Sequence, residues 1–215
     1  MRLFALALTA LLGLTGCQSA YYAAMEKTGV HKRDILVDRV EHARDAQRDA
    51  KQQFQSALER YRSVVQVNGG ELEKRYDALD ADYKASEASA REVRGRIAAV
   101  EDVAGALFDE WDDELDQYHD TRLRAISAEE LTRTRQAYKA LLQRMKAAEK
   151  RIDPVLGALH DQVLFLKHNL NARAIGALQG EYVSLQGNVD QLVRDMQRSI
   201  DEADAFVRRL QATRN

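Results

Sequence analysis

Hydrophobic residues recur in alternating steps of four and three along most of this chain. A repeat that averages 3.5 residues is typical of helices that wrap around one another in a left-handed coiled coil. The first such stretch carries alanine at three seam positions, which lets a partner helix approach closely, and one glutamine, which can fix the register at a cost in stability. Its seam positions are Leu36, Val40, Ala43, Gln47, Ala50, Phe54, Ala57, Tyr61 and Val64.

The first break in this pattern is the run 68–70, an asparagine followed by two glycines. Glycine adopts the left-handed conformation that commonly ends a helix, so the first helix is predicted to stop there. The pattern resumes at Leu72 and predicts a second helix that continues to about Arg124. A third helix is predicted to begin at Ser127, because Ser127 and Glu130 have the spacing of a capping box.

The third helical segment contains the one proline of the chain, Pro154. Proline lacks a backbone donor and clashes one turn back, so a kink or a restart is predicted, with Asp153 as the N-cap of the restarted helix. Asn169 and Asn171 mark the next turn. The segment after them has the most regular repeat of all and predicts a last long helix.

Four heptad-bearing segments joined by short turns fold most simply as antiparallel neighbours. We therefore predict an all-α protein, an elongated antiparallel helical bundle or coiled coil of about four long helices. Residues 32–213 are assigned to this single domain. A charged fraction of 31% and a single proline agree with long solvated helices rather than a compact globule.

Charge and motif content narrow the range of functions. The net charge is −2 with the two signs interleaved, so no nucleic-acid partner is predicted. The single cysteine excludes an internal disulfide framework. Nucleophile-elbow, phosphate-loop and zinc-protease motifs are missing from the sequence. We predict that the chain is not an enzyme and holds neither a cofactor nor a metal ion.

The first sixteen residues are typical of a secretion signal. Arg2 supplies a short basic region, and residues 3–12 form an apolar run too short to span a bilayer. The sequence Leu14–Cys17 that follows resembles the lipobox of bacterial lipoproteins. That resemblance implies cleavage of the signal peptide 1–16, acylation of Cys17, and a lipidated tether over residues 17–31. A cysteine that merely follows an ordinary signal peptide is the alternative.

Gln18 bears on the destination of such a lipoprotein. In the lipoproteins that this segment resembles, an aspartate after the acylated cysteine retains the protein in the inner membrane. Because residue 18 is glutamine, the resemblance implies a periplasm-facing protein anchored in the outer membrane rather than the inner one.

The densest charge cluster lies in residues 109–120, which include seven acidic side chains. Asp116 and His119 have the i, i+3 spacing of a carboxylate–histidine metal pair on a helix, although no second pair accompanies them. The preferred interpretation is a solvated acidic face. Trp111 beside this run either anchors a partner or closes the bundle at a turn. Trp111, Asp112, Asp116 and His119 are therefore candidate residues of a partner or ligand surface.

A second candidate surface is the polar turn of residues 167–173. Its asparagines are expected to cap the flanking helices. The alternative is a recognition tip for a protein partner, made of His168, Asn169, Asn171 and Arg173.

Three stretches of the chain, residues 21–40, 103–115 and 166–181, resemble a family of uncharacterised proteobacterial secreted proteins. This resemblance implies a helical, envelope-located protein without an assigned activity. We predict a membrane-anchored, non-catalytic structural or interaction protein, a coiled-coil scaffold that binds a protein partner or a second copy of itself. The alternative function is a periplasmic helical bundle that binds a cation or a small molecule.

Overall fold

The computed structural model describes residues 21–22, 25, 27–66, 72–169 and 172–212, and these are almost entirely helical. The five long helices of this described part are α1 (Lys32–Val65), α2 (Leu72–Leu115), α3 (Thr121–Lys150), α4 (Ile152–His168) and α5 (Ala172–Ala212). Helices α3 and α4 are separated only by Arg151 and together form one arm of the molecule.

Helices α1 and α2 are antiparallel neighbours. Lys32, at the start of α1, donates a hydrogen bond to Glu110 near the end of α2 at 2.7 Å. Arg60, near the end of α1, reaches Asp82 in the first part of α2 at 3.0 Å. The two helices therefore run alongside each other over most of the length of α1.

Three further interfaces close the arrangement into a bundle. The α3–α4 arm packs antiparallel on α2, where Lys146 pairs with Glu101 at 2.8 Å. Helix α5 packs on this arm and on α1, where Lys51 donates to Gln197 at 2.7 Å. The bundle thus has four arms, which are α1, α2, the α3–α4 pair and α5. Each arm contacts two neighbours, and the arms alternate up and down. The predicted all-α, antiparallel helical bundle is confirmed.

The core of the bundle follows the heptad seams. All nine seam positions predicted in α1 have no exposed surface. Corresponding positions of the other helices are also buried, among them Ile97, Leu141, Leu159 and Leu192. Because α2 has 44 residues, it is about 66 Å long at 1.5 Å per residue. The core is accordingly thin and long.

The predicted boundary between the second and third helices is wrong. Helix α2 ends at Leu115 rather than near Arg124, and α3 begins at Thr121 with Asp120 as its N-cap, so that Ser127 lies inside α3. Acidic side chains are unfavourable near the negative C-terminal end of a helix, whereas an aspartate is a preferred N-cap. The acidic run therefore ends α2 earlier than its apolar pattern suggests.

The predicted restart at the proline is confirmed, but its N-cap is not Asp153. Arg151 occupies the N-cap position of α4 without a side-chain hydrogen bond, and Asp153 and Pro154 lie in the first turn. Proline is tolerated there because the first-turn N–H groups have no intrahelical acceptor. Asp153 instead forms an ion pair with Arg94 of α2.

A short N-terminal segment packs beside the start of α1. Residues 21, 22, 25 and 27 are helical, and Gly29, with φ +82°, ends this turn of helix. The Val30 amide donates to the Met25 carbonyl at 3.1 Å, the six-residue hydrogen bond of a Schellman cap. Tyr22 is buried and donates its hydroxyl hydrogen to Asp102 of α2. Part of the predicted tether therefore lies against the bundle, while its remaining boundaries stay a prediction.

Buried tyrosines make the bundle sensitive to alkaline pH. Burial, and then the nearby Glu101 carboxylate, raise the pKa of Tyr138 to about 12. The unfolded chain loses this proton first, near the ordinary pKa of about 10. The stability that the protonated Tyr138 hydroxyl contributes is therefore fully present below pH ~10 and is lost as the pH rises through ~12.

The expected result is a free energy of unfolding, measured with urea, that falls between pH ~10 and ~12. The variant Tyr138→Phe should lose less over the same interval, because phenylalanine has no proton to release. An identical decline in Tyr138→Phe and the unmodified protein would show that Tyr138 does not contribute.

Candidate docking surface at the tip of the α2–α3 hairpin

The hairpin formed by α2 and α3 projects beyond the described end of α5. The rings of Tyr138 and Phe206 are 6.5 Å apart and set the register between α3 and α5. Because the two helices are antiparallel, Ala212, six residues after Phe206, lies level with about residue 132. The first eleven residues of α3 therefore extend about 16 Å past Ala212.

Asp120 builds the turn of this hairpin. Its carboxylate accepts hydrogen bonds from the backbone amides of Arg122 at 2.8 Å and Leu123 at 3.1 Å. These are two of the donors that a helix start leaves without intrahelical partners. The carboxylate also lies at the positive end of the α3 dipole, which favours a negative charge.

Trp111 ties the two helices together below the turn. Its indole Nε1 donates a hydrogen bond to the Ser127 hydroxyl at 2.8 Å, and its ring packs half-buried against the core. Trp111 therefore joins α2 to α3 below the turn, and its role as an anchor for a partner stays a prediction. Ser127, predicted as a helix cap, instead serves as the acceptor of this bond.

The Asp112 carboxylate forms an ion pair with Arg135 of α3. The Arg135 guanidinium binds both oxygens of Asp112 and lies 5.3 Å from the centre of the Phe108 ring. The hydrogen bond from Arg135 holds the pKa of Asp112 below its ordinary value. Because Asp112 is exposed, this pair fixes side-chain geometry more than it adds stability.

Asp116 and His119 do not form the pair that their spacing suggests. Both lie in the turn after α2, so the helical geometry assumed for an i, i+3 pair does not apply. Asp116 pairs with Arg124 at 2.7 Å, and His119 is exposed. Within the described residues, histidine, cysteine and acidic side chains nowhere converge in groups of three or more that would hold a metal ion.

Exposed apolar side chains are the feature of this tip that the sequence analysis missed. Leu123 is 51% exposed, Ile126 is 54% exposed and Tyr118 is 41% exposed. Leu123 and Ile126 are three residues apart on one face of α3. Glu114, Gln117 and Tyr118 line a shallow, open depression at the end of α2 and in the turn after it. The heptad pattern offered a partial signal, because Ile126 has the same phase as exposed Arg133 and Ala140.

The second predicted surface is a helix cap where it can be described. Asn169 follows the last residue of α4, and its side-chain amide nitrogen Nδ2 donates a hydrogen bond to the Phe165 carbonyl at 2.9 Å. His168 is exposed at the end of α4. Asn171 and the Arg173 side chain lie outside the described part of the structure. The capping role expected of the asparagines is confirmed for Asn169.

Removal of the Asp120 cap is expected to loosen the tip. The variant Asp120→Ala should cost about 1 kcal/mol locally and speed hydrogen exchange of the amides in residues 121–127. Asp120→Asn keeps an acceptor oxygen and should exchange like the unmodified protein. Equal exchange in Asp120→Ala and Asp120→Asn would contradict the capping role.

A family model described as "Protein of unknown function (DUF2959)" matches residues 21–210. The chain belongs to this family. The predicted resemblance to an uncharacterised family is thereby confirmed. No curated protein and no solved structure matches the chain.

The predicted lipid attachment site, Cys17, lies outside the described residues. Among the helices that are described, none combines the length and apolarity needed to cross a bilayer.

Proposed function

We propose that this DUF2959 protein is a non-catalytic interaction protein of the bacterial envelope. In this proposal a lipid on Cys17 anchors the protein in the outer membrane rather than the inner one. A partner protein binds the hairpin tip. The observation that carries the proposal is the exposure of the apolar side chains of Leu123, Ile126 and Tyr118 at the tip of the hairpin. Contiguous exposed apolar side chains commonly mark interaction sites on folded proteins.

The lipid anchor is supported by the lipobox-like sequence that ends at Cys17. Tyr22 packs against α2, and the five residues from Cys17 to Tyr22 span at most about 17 Å when fully extended. A lipid on Cys17 is therefore limited to the flank of the bundle near Tyr22 and Asp102. Two or three acyl chains on one cysteine provide lasting membrane attachment.

The anchor is tested by metabolic labelling of cells with a clickable palmitate analogue. We expect the unmodified protein to incorporate the label and to sediment with membranes, and the variant Cys17→Ser to do neither. A soluble, unlabelled wild-type protein would contradict the proposed anchor.

The partner surface is tested separately by photocrosslinking in cells. A benzophenone amino acid replaces Leu123 in one strain and Val183 in another, because Val183 is 74% exposed on α5 and far from the tip. We expect a discrete crosslinked adduct from position 123 and none from position 183. Adducts from neither position, or equally from both, would refute the tip as a partner surface.

A further inference from the structure

One face at the tip of the hairpin presents apolar side chains to solvent. Leu123 is 51% exposed and Ile126 is 54% exposed, and the two residues lie three apart on α3. Arg133, Ala140 and Ala147, at one, two and three heptads after Ile126, are also exposed, so this side of α3 faces away from the other described helices. Large apolar side chains on the outer face of a helix offer a docking site for one further amphipathic helix.

The charges around this face indicate the charge of the partner that would bind it. Residues 109–120 contain seven acidic side chains and neither lysine nor arginine. Glu110, Asp112 and Asp116 are paired with Lys32, Arg135 and Arg124, respectively. Asp113 and Glu114 make no ion pair with any residue that the structure describes. Arg122, which precedes Leu123, is also exposed and has no ion pair among the described residues. The two carboxylates outnumber this cation, so the tip carries a net negative charge.

We propose that the hairpin tip binds a cationic amphipathic helix of a partner protein. The apolar side of that helix covers Leu123, Ile126 and Tyr118, and its lysines or arginines face Asp113 and Glu114. This inference rests on the proposed function and names the chemistry of the partner. Complementary charge sets partner choice and association rate at such surfaces.

A second copy of the chain and a lipid surface fit the same face less well. A second tip brings an identical acidic run, and like charges across an interface are unfavourable. Anionic head groups repel the same carboxylates.

The test uses the full-length protein in nanodiscs of zwitterionic lipid. The probe is a tryptophan-free peptide of about 18 residues with leucine on one helical face and lysine on the other. One control peptide replaces lysine with glutamate, and another scrambles the sequence so that the leucines share no face. Trp111 is the sole tryptophan of the chain and lies within the hairpin, so its emission reports binding.

We expect the leucine–lysine peptide to shift the Trp111 emission and to bind at least about tenfold more tightly than either control peptide. The double variant Leu123→Ser, Ile126→Ser should weaken that binding about tenfold or more, and the control variant Val183→Ser should not change it. Asp113→Asn with Glu114→Gln should reduce the loss of affinity that added salt causes.

Several results would overturn the inference. Equal binding of the glutamate or scrambled peptide, or full binding by Leu123→Ser, Ile126→Ser, would refute a cationic helix at this face. A concentration-dependent dimer that the double variant abolishes would assign the face to a second copy. Capture by phosphatidylglycerol vesicles that the double variant abolishes would assign it to a membrane. If the crosslink from position 123 in cells persists while the peptide fails to bind, the partner chemistry is wrong and the proposed function stands.

Discussion

Replacing Tyr61 with alanine is expected to lower the free energy of unfolding by about 3–5 kcal/mol. Tyr61 has no exposed surface, and its hydroxyl donates to the Leu178 carbonyl of α5 at 2.7 Å. The same oxygen lies 3.2 Å from Gln162 Oε1 of α4, and the ring stacks on Tyr182. One side chain thus joins three helices, and its loss leaves a cavity in a thin core. Urea unfolding followed by circular dichroism measures the change.

Two matched variants separate the cavity from the hydrogen bond. Tyr61→Phe keeps the ring and should cost about 1 kcal/mol. Tyr118→Ala removes an exposed tyrosine and should change the free energy of unfolding by no more than about 0.5 kcal/mol. If Tyr61→Ala cost no more than Tyr118→Ala, the packing described for α1, α4 and α5 would be wrong.

Gln47→Met is expected to act in the opposite direction and to raise the free energy of unfolding by about 1–3 kcal/mol. Gln47 has no exposed surface, and neither its Nε2 nor its Oε1 has a hydrogen-bond partner among the described residues. The Ser199 hydroxyl of α5 is in the same situation. A buried amide without partners carries its full desolvation cost, and methionine fills a similar volume without that cost.

The control for this variant is Gln52→Met on the exposed side of α1, which should change the free energy of unfolding by no more than about 0.5 kcal/mol. Thermal unfolding of the three proteins in parallel gives the comparison, with a shift of about 2–4 °C for each kcal/mol in a chain of this size. A destabilised Gln47→Met would contradict this account and show that the amide has a partner in solution. A stabilised variant with an altered assembly mass would identify Gln47 as the residue that fixes register.

The buried positions of the helices followed directly from the sequence. A seam residue repeats because it must face a neighbouring helix, so the seam predicted for α1 coincides with its fully buried positions. The restart of the helix near Pro154 could also be predicted from the sequence, because proline has no N–H to donate a hydrogen bond in a helix interior.

The turn between α2 and α3 was harder to predict from local pattern. It contains neither glycine nor proline, and it is made by the charge of the acidic run and by the cap that Asp120 supplies. Ser127 and Glu130 have the spacing of a cap but lie inside α3, because Asp120 begins the helix first.

The exposed apolar tip could be predicted only in part from heptad phase. Ile126 shares its phase with the exposed positions Arg133 and Ala140, whereas the phase of Leu123 contains both buried Ala137 and exposed Arg144. Which positions beside the main seam are covered depends on tertiary packing, which local periodicity does not contain. The candidate site therefore depends on the apolar identity of outward-facing residues rather than on a sequence motif.

One chain supplies all four arms of the bundle, and the hairpin tip lies at one end of it. Cysteines placed at Lys51 and Gln197, whose side chains meet at 2.7 Å between α1 and α5, test this directly in a Cys17→Ser background. Treatment with a short bismaleimide should give a crosslinked monomer, because both cysteines belong to the same bundle. A crosslinked dimer as the main product would show that the arms pair between chains and would contradict the account.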